Sequence, residues 1–476
     1  MRLARFAALA VFVSFATAAQ EPADRSGPPA LGAPPRLTLP SVQKAVLSNG
    51  LRVLLLESHE VPLVQVNLVV LAGSAADPAG QFGLASITSS MLDEGAGERS
   101  ALELADAVEF LGAELSTGGA FDASTVRLNV PTRRLDQALP IMADVALRPT
   151  FPAPELERLR QERLTALLQT RDDPAGVATP AFWRVVYGAA HRYGTNAIGT
   201  TATLTAFTPQ QLRAFHTAAY RPDNAALVVV GDVALAGVMP MLERAFGAWS
   251  AAERATQTAL PEPAQRTGRE VTIVDMPGAE QSQIRIGAVG VARSTPDYFA
   301  LQVLNTVLGG SFTSRLNQNL REEHGYAYGA GSRFDMRLAA GPFTASAGVQ
   351  TDKTAESLAE FFNELEAIGA PIGTDELAKA KNYLALGFPG DFETLGDLAA
   401  RLEELVIYGL PDSYFAEYTA KIAAVTTVDV QLAAAAHIRP DNVAVVVVGD
   451  RREIEPGIRA LNLGPVRVVR VDEVVP

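Results

Sequence analysis

The sequence predicts an α+β protein that contains two copies of one domain, each a mainly antiparallel sheet with helices packed on it. Two segments match: TPQQLRAFHTAAYRPDNAALVVVGD, which begins at Thr208, and TTVDVQLAAAAHIRPDNVAVVVVGD, which begins 218 residues later at Thr426. In each, a helix ends before Arg-Pro-Asp-Asn because proline cannot continue it, and a run of apolar β-branched residues then predicts a buried strand. The period is too long for a solenoid and indicates a duplicated domain.

The spacing of apolar residues places further elements along the chain. In the first copy, we expect paired strands at 51–57 and 64–71, helices at 101–112 and 135–147, a strand at 126–130 and a charged helix at 154–171. In the second copy, we expect strands at 271–274 and 283–289 and helices at 298–308 and 354–368. Because strands and long helices do not alternate strictly, the α+β class is favoured over a parallel α/β sheet.

The start of the chain has the features of an export signal. Arg2 and Arg5 precede a short apolar run, and Ala16-Thr17-Ala18 matches an A-x-A cleavage site. The next twenty or so residues are rich in proline, alanine and glycine, which is typical of a flexible segment. The predicted organisation is a signal peptide at 1–19, a flexible lead-in at 20–40, a first domain at 41–249, a linker at 250–269 and a second domain at 270–476.

Composition narrows the class of protein. The formal net charge is −13, and loss of a leader that contains two arginines and no acid would make it more negative, so nucleic acid is not an expected partner. No run after the leader reaches the length of a membrane-spanning helix, so we expect no membrane span in the mature chain. The absence of cysteine excludes thiolate catalysis and disulfides. An exported protein of the periplasm, or one released outside the cell, fits these features.

The sequence offers no catalytic constellation of its own. No two of the five histidines lie four residues apart, so two histidines on one helix face cannot hold a metal. The stretch GLASITSSMLDEG, residues 83–95, presents only hydroxyls at Ser86, Ser89 and Ser90. A serine nucleophile needs a base within reach, and none is suitably spaced nearby.

The region GSAADPAGQFGLASITSSMLDEGAG resembles the first helix of the pitrilysin or insulinase family of zinc peptidases, in the branch of the mitochondrial processing peptidase. In catalytic members, two histidines bind zinc and a glutamate activates water. Aligned on Gly83 and Met91, the histidines fall on Ser86 and Ser90 and the glutamate on Ser89. The family's third ligand, a later glutamate, falls on Ala166, with Glu157 and Glu162 as alternatives if the alignment is shifted. The resemblance implies a degenerate motif and no zinc on this chain.

A second resemblance lies in LGGSFTSRLNQNLREEHGYAYGAGS, which begins at Leu308. It is similar to the family segment that carries an Arg/Tyr pair, and the spacing of that pair falls on Arg321 and Tyr328. The resemblance implies that the arginine holds substrate oxygens and that the tyrosine donates to the developing oxyanion. Spacing alone would favour a charged helix face and a strand aromatic; the surrounding motif favours the functional interpretation.

Together these resemblances imply a zinc-less subunit of a heterodimeric peptidase. Arg321 and Tyr328 would serve a zinc site on a partner subunit of the same family, and the substrates would be peptides. Residues 73–83 and 112–130 would frame the cleft of the degenerate motif, where relatives add an extended peptide to a sheet edge. The alternative is a structural or chaperone-like peptide-binding protein with the same fold and no proteolytic role.

Overall fold

The computed structural model describes residues 41–250 and 260–475, so the predicted signal peptide, the lead-in and residues 251–259 of the predicted linker lie outside the described part. In the first half, the strands are β1 (Gln43–Val46), β2 (Arg52–Glu57), β3 (Leu63–Val70), β4 (Gly95–Ala96), β5 (Arg99–Ser100), β6 (Glu114–Gly119), β7 (Ser124–Pro131) and β8 (Ala225–Gly231). The helices are α1 (Leu84–Ser90), α2 (Ala101–Phe110), α3 (Leu135–Leu147), α4 (Ala153–Asp172), α5 (Pro174–Tyr187), α6 (Thr201–Ala206), α7 (Pro209–Ala219) and α8 (Leu235–Phe246).

The second half repeats this mixture of elements. Its strands are β9 (Glu270–Asp275), β10 (Gln281–Val289), β11 (Ala327–Phe334), β12 (Pro342–Gln350), β13 (Ala444–Gly449) and β14 (Val466–Arg470). Its helices are α9 (Tyr298–Leu308), α10 (Arg315–Asn317), α11 (Thr354–Ala367), α12 (Thr374–Gly387), α13 (Leu395–Tyr408), α14 (Tyr414–Ala424), α15 (Thr427–His437), α16 (Arg451–Ala460) and α17 (Val471–Val474). No helix in the described ranges is both long and apolar enough to cross a membrane.

The two halves build sheets of the same strand order. The first sheet runs β1-β2-β8-β3-β7-β6 and the second β14-β9-β13-β10-β12-β11, so β2, β8, β3, β7 and β6 correspond to β9, β13, β10, β12 and β11. The register matches as well, because Val66 pairs with Val229 as Ile284 pairs with Val447. Most neighbouring strands are antiparallel, while β2 with β8 and both neighbours of β9 are parallel. The predicted α+β class with duplicated halves is confirmed.

One local expectation was wrong. The strands predicted at 51–57 and 64–71 exist as β2 and β3, but they do not pair with each other. The strand after Arg221-Pro-Asp-Asn, β8, lies between them and pairs parallel to β2 and antiparallel to β3. Its seven residues are all buried, and the centre of a sheet covered on both faces is where such an apolar strand is most stable.

Each half lends one helix to the other half's sheet. Helix α5 of the first half packs on β10 and β13, where Val177 and Phe182 share a core with Val446 and Val448. Helix α13 of the second half packs on β3 and β8, and its Leu402 shares a core cluster with apolar residues of the first sheet. The halves are therefore joined through exchanged helices, and these helices decide which part of each sheet remains uncovered.

Candidate functional site

Helix α1, which carries the predicted degenerate motif, is fixed at its start by a buried carboxylate. Asp77 accepts hydrogen bonds from the backbone N–H groups of Gly83 and Ala85, each at 2.7 Å. Gly83 has φ +100°, and a Cβ there would lie 2.5 Å from the carbonyl oxygen of Ile198, so glycine is required. These contacts therefore fix the position of the first turn of α1.

Arg192 holds Asp77 in place. Its Nε donates to Asp77 Oδ2 at 2.8 Å, and both side chains are almost fully buried, at 1% and 0% exposure. The guanidinium also donates to the carbonyl oxygens of Ser74 and Thr195. The further hydrogen bonds offset part of the cost of burying the ion pair, and the pair joins the segment HRYGTNAIGT to α1.

The serine-bearing helix α1 is contacted by a cationic side chain, Arg163, that the sequence analysis did not single out. Ser89 is fully buried and donates to the carbonyl oxygen of Ser86 at 2.9 Å. Arg163, on α4, donates through Nη2 to that same oxygen at 3.0 Å and to Ser90 Oγ at 2.8 Å. Burial lowers the pKa of the Arg163 guanidinium to about 10, so it remains charged at neutral pH.

These residues do not fit a zinc ion. Protein zinc sites use imidazole, thiolate or carboxylate ligands, whereas Ser86, Ser89 and Ser90 offer hydroxyls and Ala166 a methyl group that is exposed on α4. A guanidinium over the serines would also repel a divalent cation. Within residues 41–250 and 260–475, no cluster of three histidines, cysteines or acids could hold a metal.

The alternative carboxylates on α4 are surface charges. Glu157 lies 3.3 Å from Arg160, and Glu162 lies 3.5 Å from Arg158, with both carboxylates more than half exposed. Arg163 precedes Ala166 by three residues, so the two share a helix face. That spacing was the available sequence signal for Arg163, since the resemblance implies that the ligand position at Ala166 faces α1.

Restoring the ligands tests whether Arg163 excludes metal. A variant with Ser86→His, Ser89→Glu, Ser90→His and Ala166→Glu should bind zinc poorly while the guanidinium remains. Adding Arg163→Met should raise zinc affinity by at least about 10-fold in a chelator competition, because a neighbouring positive charge is removed. Adding Arg158→Met instead is the control, since Arg158 is paired with Glu94 and Glu155. Equal gains from the two additions would contradict the role of Arg163.

Arg321 and Tyr328 lie together on the second half. The Arg321 guanidinium carbon lies over two aromatic rings, 5.2 Å from the centre of the Tyr328 ring and 4.5 Å from that of Phe312. Its Nε is 3.3 Å from Glu322. The Tyr328 side chain is highly exposed, at 90% for the residue, and all three stacked residues line an open cleft of about 570 Å³. The structure thus brings the predicted pair into one site.

Irregular backbone positions both residues. Arg321 lies in a π-helical turn, Gln318–Glu323, and Tyr328 lies where the pairing of β11 with β12 shifts register between Ala327 and Ala330. Bulges and π-turns redirect side chains and are common beside functional sites. The Asn317 side chain joins the two segments, because it donates to the carbonyl of Phe312 and accepts from the N–H of Ala330.

The remaining cleft wall is the face of the second sheet. It includes Gln283 and Arg285 from β10 and Ser346 and Gly348 from β12, which are cross-strand neighbours. The described lining of the cleft contains two arginines, Arg285 and Arg321, and no acidic residue. A cleft of this kind can bind oxygen-rich groups through planar forks of donors.

The fold and these two regions define a class: a duplicated α+β chain in which helix α1 presents serine hydroxyls and an open cleft on the second half contains an arginine and a tyrosine. The family model described as insulinase, peptidase family M16, matches residues 52–178. The model described as the peptidase M16 inactive domain matches residues 206–384. The chain belongs to the M16 peptidase family.

Known proteins are similar to this chain in sequence or structure over most of its length. An uncharacterized zinc protease of Mycobacterium bovis is 28% identical over 452 residues, which are 93% of this chain and 99% of that protein. A crystal structure of a peptidase M16 inactive domain from Pseudomonas fluorescens superposes with a TM-score of 0.80 at 26% identity, over 86% of this chain and 98% of that one. A protease from Helicobacter pylori has the same fold, with a TM-score of 0.80 at 22% identity, over 86% of this chain and all of that one.

Proposed function

We propose that this chain is the zinc-less subunit of a heterodimeric zinc peptidase of the periplasm. It would bind peptide with Arg321 and Tyr328 while a partner subunit of the same family holds zinc. The observation that carries the proposal is the contrast between its two halves: the Arg/Tyr pair lines one open cleft, whereas Ser86, Ser89 and Ser90 lie under the Arg163 cation.

The chemistry of the pair suits this role. An arginine fork binds carbonyl or carboxylate oxygens, and a neutral tyrosine hydroxyl donates one hydrogen bond. Because Tyr328 is 90% exposed, its hydroxyl is available to a group outside this chain. Stacking against Phe312 restricts the Arg321 guanidinium before substrate arrives, which favours a preorganised site.

The proposed compartment has separate support. The basic and apolar residues and the A-x-A site within residues 1–19, with the absence of cysteine, favour export to the periplasm. An epitope tag at the C-terminus, followed by fractionation, should place the processed chain in the periplasmic fraction. Recovery of an unprocessed chain from the cytoplasm would contradict this part of the proposal alone.

Pairing is the decisive test of the subunit role. Co-expressed with a family member that has an intact His-x-x-Glu-His motif, this chain should co-purify as a stable pair with zinc on the partner only, and only the pair should cleave a quenched fluorescent peptide. Zinc-dependent cleavage by this chain alone would overturn the proposal. A stable pair whose activity is independent of this chain's cleft would favour the structural alternative.

A further inference from the structure

Arg285 has no counter-ion among the residues that the structure describes. It lies partly buried on β10, in the wall of the cleft that contains Arg321. One hydrogen bond is formed within the described residues, from Nη1 to the carbonyl oxygen of Ile284 at 2.9 Å, and no carboxylate there lies within ion-pair distance. Burial lowers the pKa of Arg285. A charge that is partly withdrawn from water is normally paired, so a partly buried arginine with no carboxylate partner in the described residues is unusual.

In the first half, the position equivalent to Arg285 lies beside an arginine whose charge is neutralised by a carboxylate. Because Val66 and Ile284 occupy equivalent registers, Asn67 on β3 corresponds to Arg285 on β10. The cross-strand neighbour of Asn67 is Arg127, and that of Arg285 is Ser346. Each of these equivalent pairs therefore contains one arginine, which lies on β7 in the first sheet and on β10 in the second. In the first half, a carboxylate covers the pair.

That carboxylate is Glu403, from the exchanged helix α13. It accepts from Arg127 at 3.1 and 2.8 Å and from Asn67 at 2.7 Å, and its side chain is 7% exposed. The two bonds from Arg127 form the paired geometry of an arginine with a carboxylate. The first sheet therefore has a complete anion site, with the anion supplied by the protein.

The second sheet lacks this anion because of the sequence of its exchanged helix. Helix α5, the counterpart of α13, reads PAGVATPAFWRVVY and contains no acidic residue. It packs on β10 and β13 through apolar side chains such as Phe182 and leaves Arg285 in the open cleft. In a chain of net charge −13, the described lining of this cleft has two arginines and no acid; Glu322, outside the lining, lies 3.3 Å from Arg321 Nε.

We propose that Arg285, together with Arg321, binds a peptide carboxylate in this cleft and so selects substrates by a negative charge. The ligand takes the place that Glu403 occupies in the first half. The carboxylate is either the α-carboxylate of a peptide C-terminus or an acidic side chain within the peptide. The inference rests on the proposed function only in that the same cleft receives the peptide.

The test uses the full chain alone and three short fluorescein-labelled peptides of one neutral sequence. The first has a free C-terminus, the second is amidated, and the third is amidated but has one internal glutamate. In fluorescence anisotropy, at least one peptide with a carboxylate should bind about 10-fold or more tightly than the neutral peptide. The first peptide identifies a C-terminal carboxylate and the third an acidic side chain.

Arg285→Met should abolish the selectivity for the carboxylate. The matched control is Arg467→Met, because Arg467 is exposed on β14 at the opposite edge of the same sheet. It should preserve the preference. Equal binding of all three peptides by the parent chain, or no binding at millimolar concentration, would overturn the inference.

A stability measurement separates binding from packing. Replacing an unpaired, partly buried charge with an apolar side chain should raise the Tm of the peptide-free chain, by about 2 °C. A fall in Tm with unchanged selectivity would make Arg285 a packing residue and overturn the inference. Failure to pair with a zinc subunit would remove the proposed function, yet it would leave this selectivity intact, so the two failures are distinguishable.

Discussion

Tyr328→Phe is expected to lower the kcat/KM of the assembled peptidase by about 10²- to 10³-fold, as expected for loss of a preorganised hydrogen-bond donor to a transition state. The phenyl ring preserves the stack beside Arg321, whose guanidinium carbon lies 5.2 Å from the centre of the tyrosine ring. The change therefore removes only the hydroxyl. Steady-state cleavage of a quenched fluorescent peptide by the purified pair measures the effect.

Arg321→Ala should cause a loss of similar size, and Arg321→Lys should recover little, because an ammonium lacks the planar fork. Tyr383→Phe is the matched control, since Tyr383 is an exposed tyrosine on α12 outside the cleft lining. Gel filtration should show intact pairs for every variant. Full activity of Tyr328→Phe in an intact pair would remove the hydroxyl from the mechanism.

Asp77→Ala is expected to cost about 3–5 kcal/mol of unfolding free energy, the range for breaking one member of a buried ion pair. The change leaves the Arg192 cation uncompensated and removes both acceptors from the start of α1. Urea unfolding followed by circular dichroism would measure the shift in midpoint.

Two further variants define the cause. Asp136→Ala breaks an exposed ion pair with Arg244, so it should change the unfolding free energy by less than about 1 kcal/mol. Combining Asp77→Ala with Arg192→Met should recover part of the loss, because no unpaired charge is then buried. An Asp77→Ala effect as small as that of Asp136→Ala would show that the buried pair contributes little.

The sequence predicted the duplication well because the signal is local. Both copies of Arg-Pro-Asp-Asn are followed by an apolar strand, and both strands occupy the same place in their sheets. The pairing of Arg321 with Tyr328 was implied by the resemblance of the surrounding motif, and only a short turn separates the π-helical segment of Arg321 from β11, which contains Tyr328. The position of β8 between β2 and β3 was not predicted, because strand order depends on contacts far apart in the chain.

The unpaired state of Arg285 could not be predicted for the same reason. Its significance depends on which helix covers which sheet, and that exchange brings Glu403 to Arg127 across 276 residues. The location of Arg163 on the helix face of Ala166 could have been predicted from its spacing of three residues. The spacing does not predict its two hydrogen-bond acceptors on α1, because these depend on how α4 packs against α1.

The reciprocal placement of α5 and α13 has a consequence for how such a chain can arise and be divided. Two equivalent halves that exchange an equivalent helix have the geometry of a domain-swapped dimer, here within one covalent chain. The covalent connection makes their association intramolecular, so the exchange does not depend on protein concentration. A fragment cut between the halves would lack the helix that covers its sheet, and its apolar face would favour re-association with the missing half.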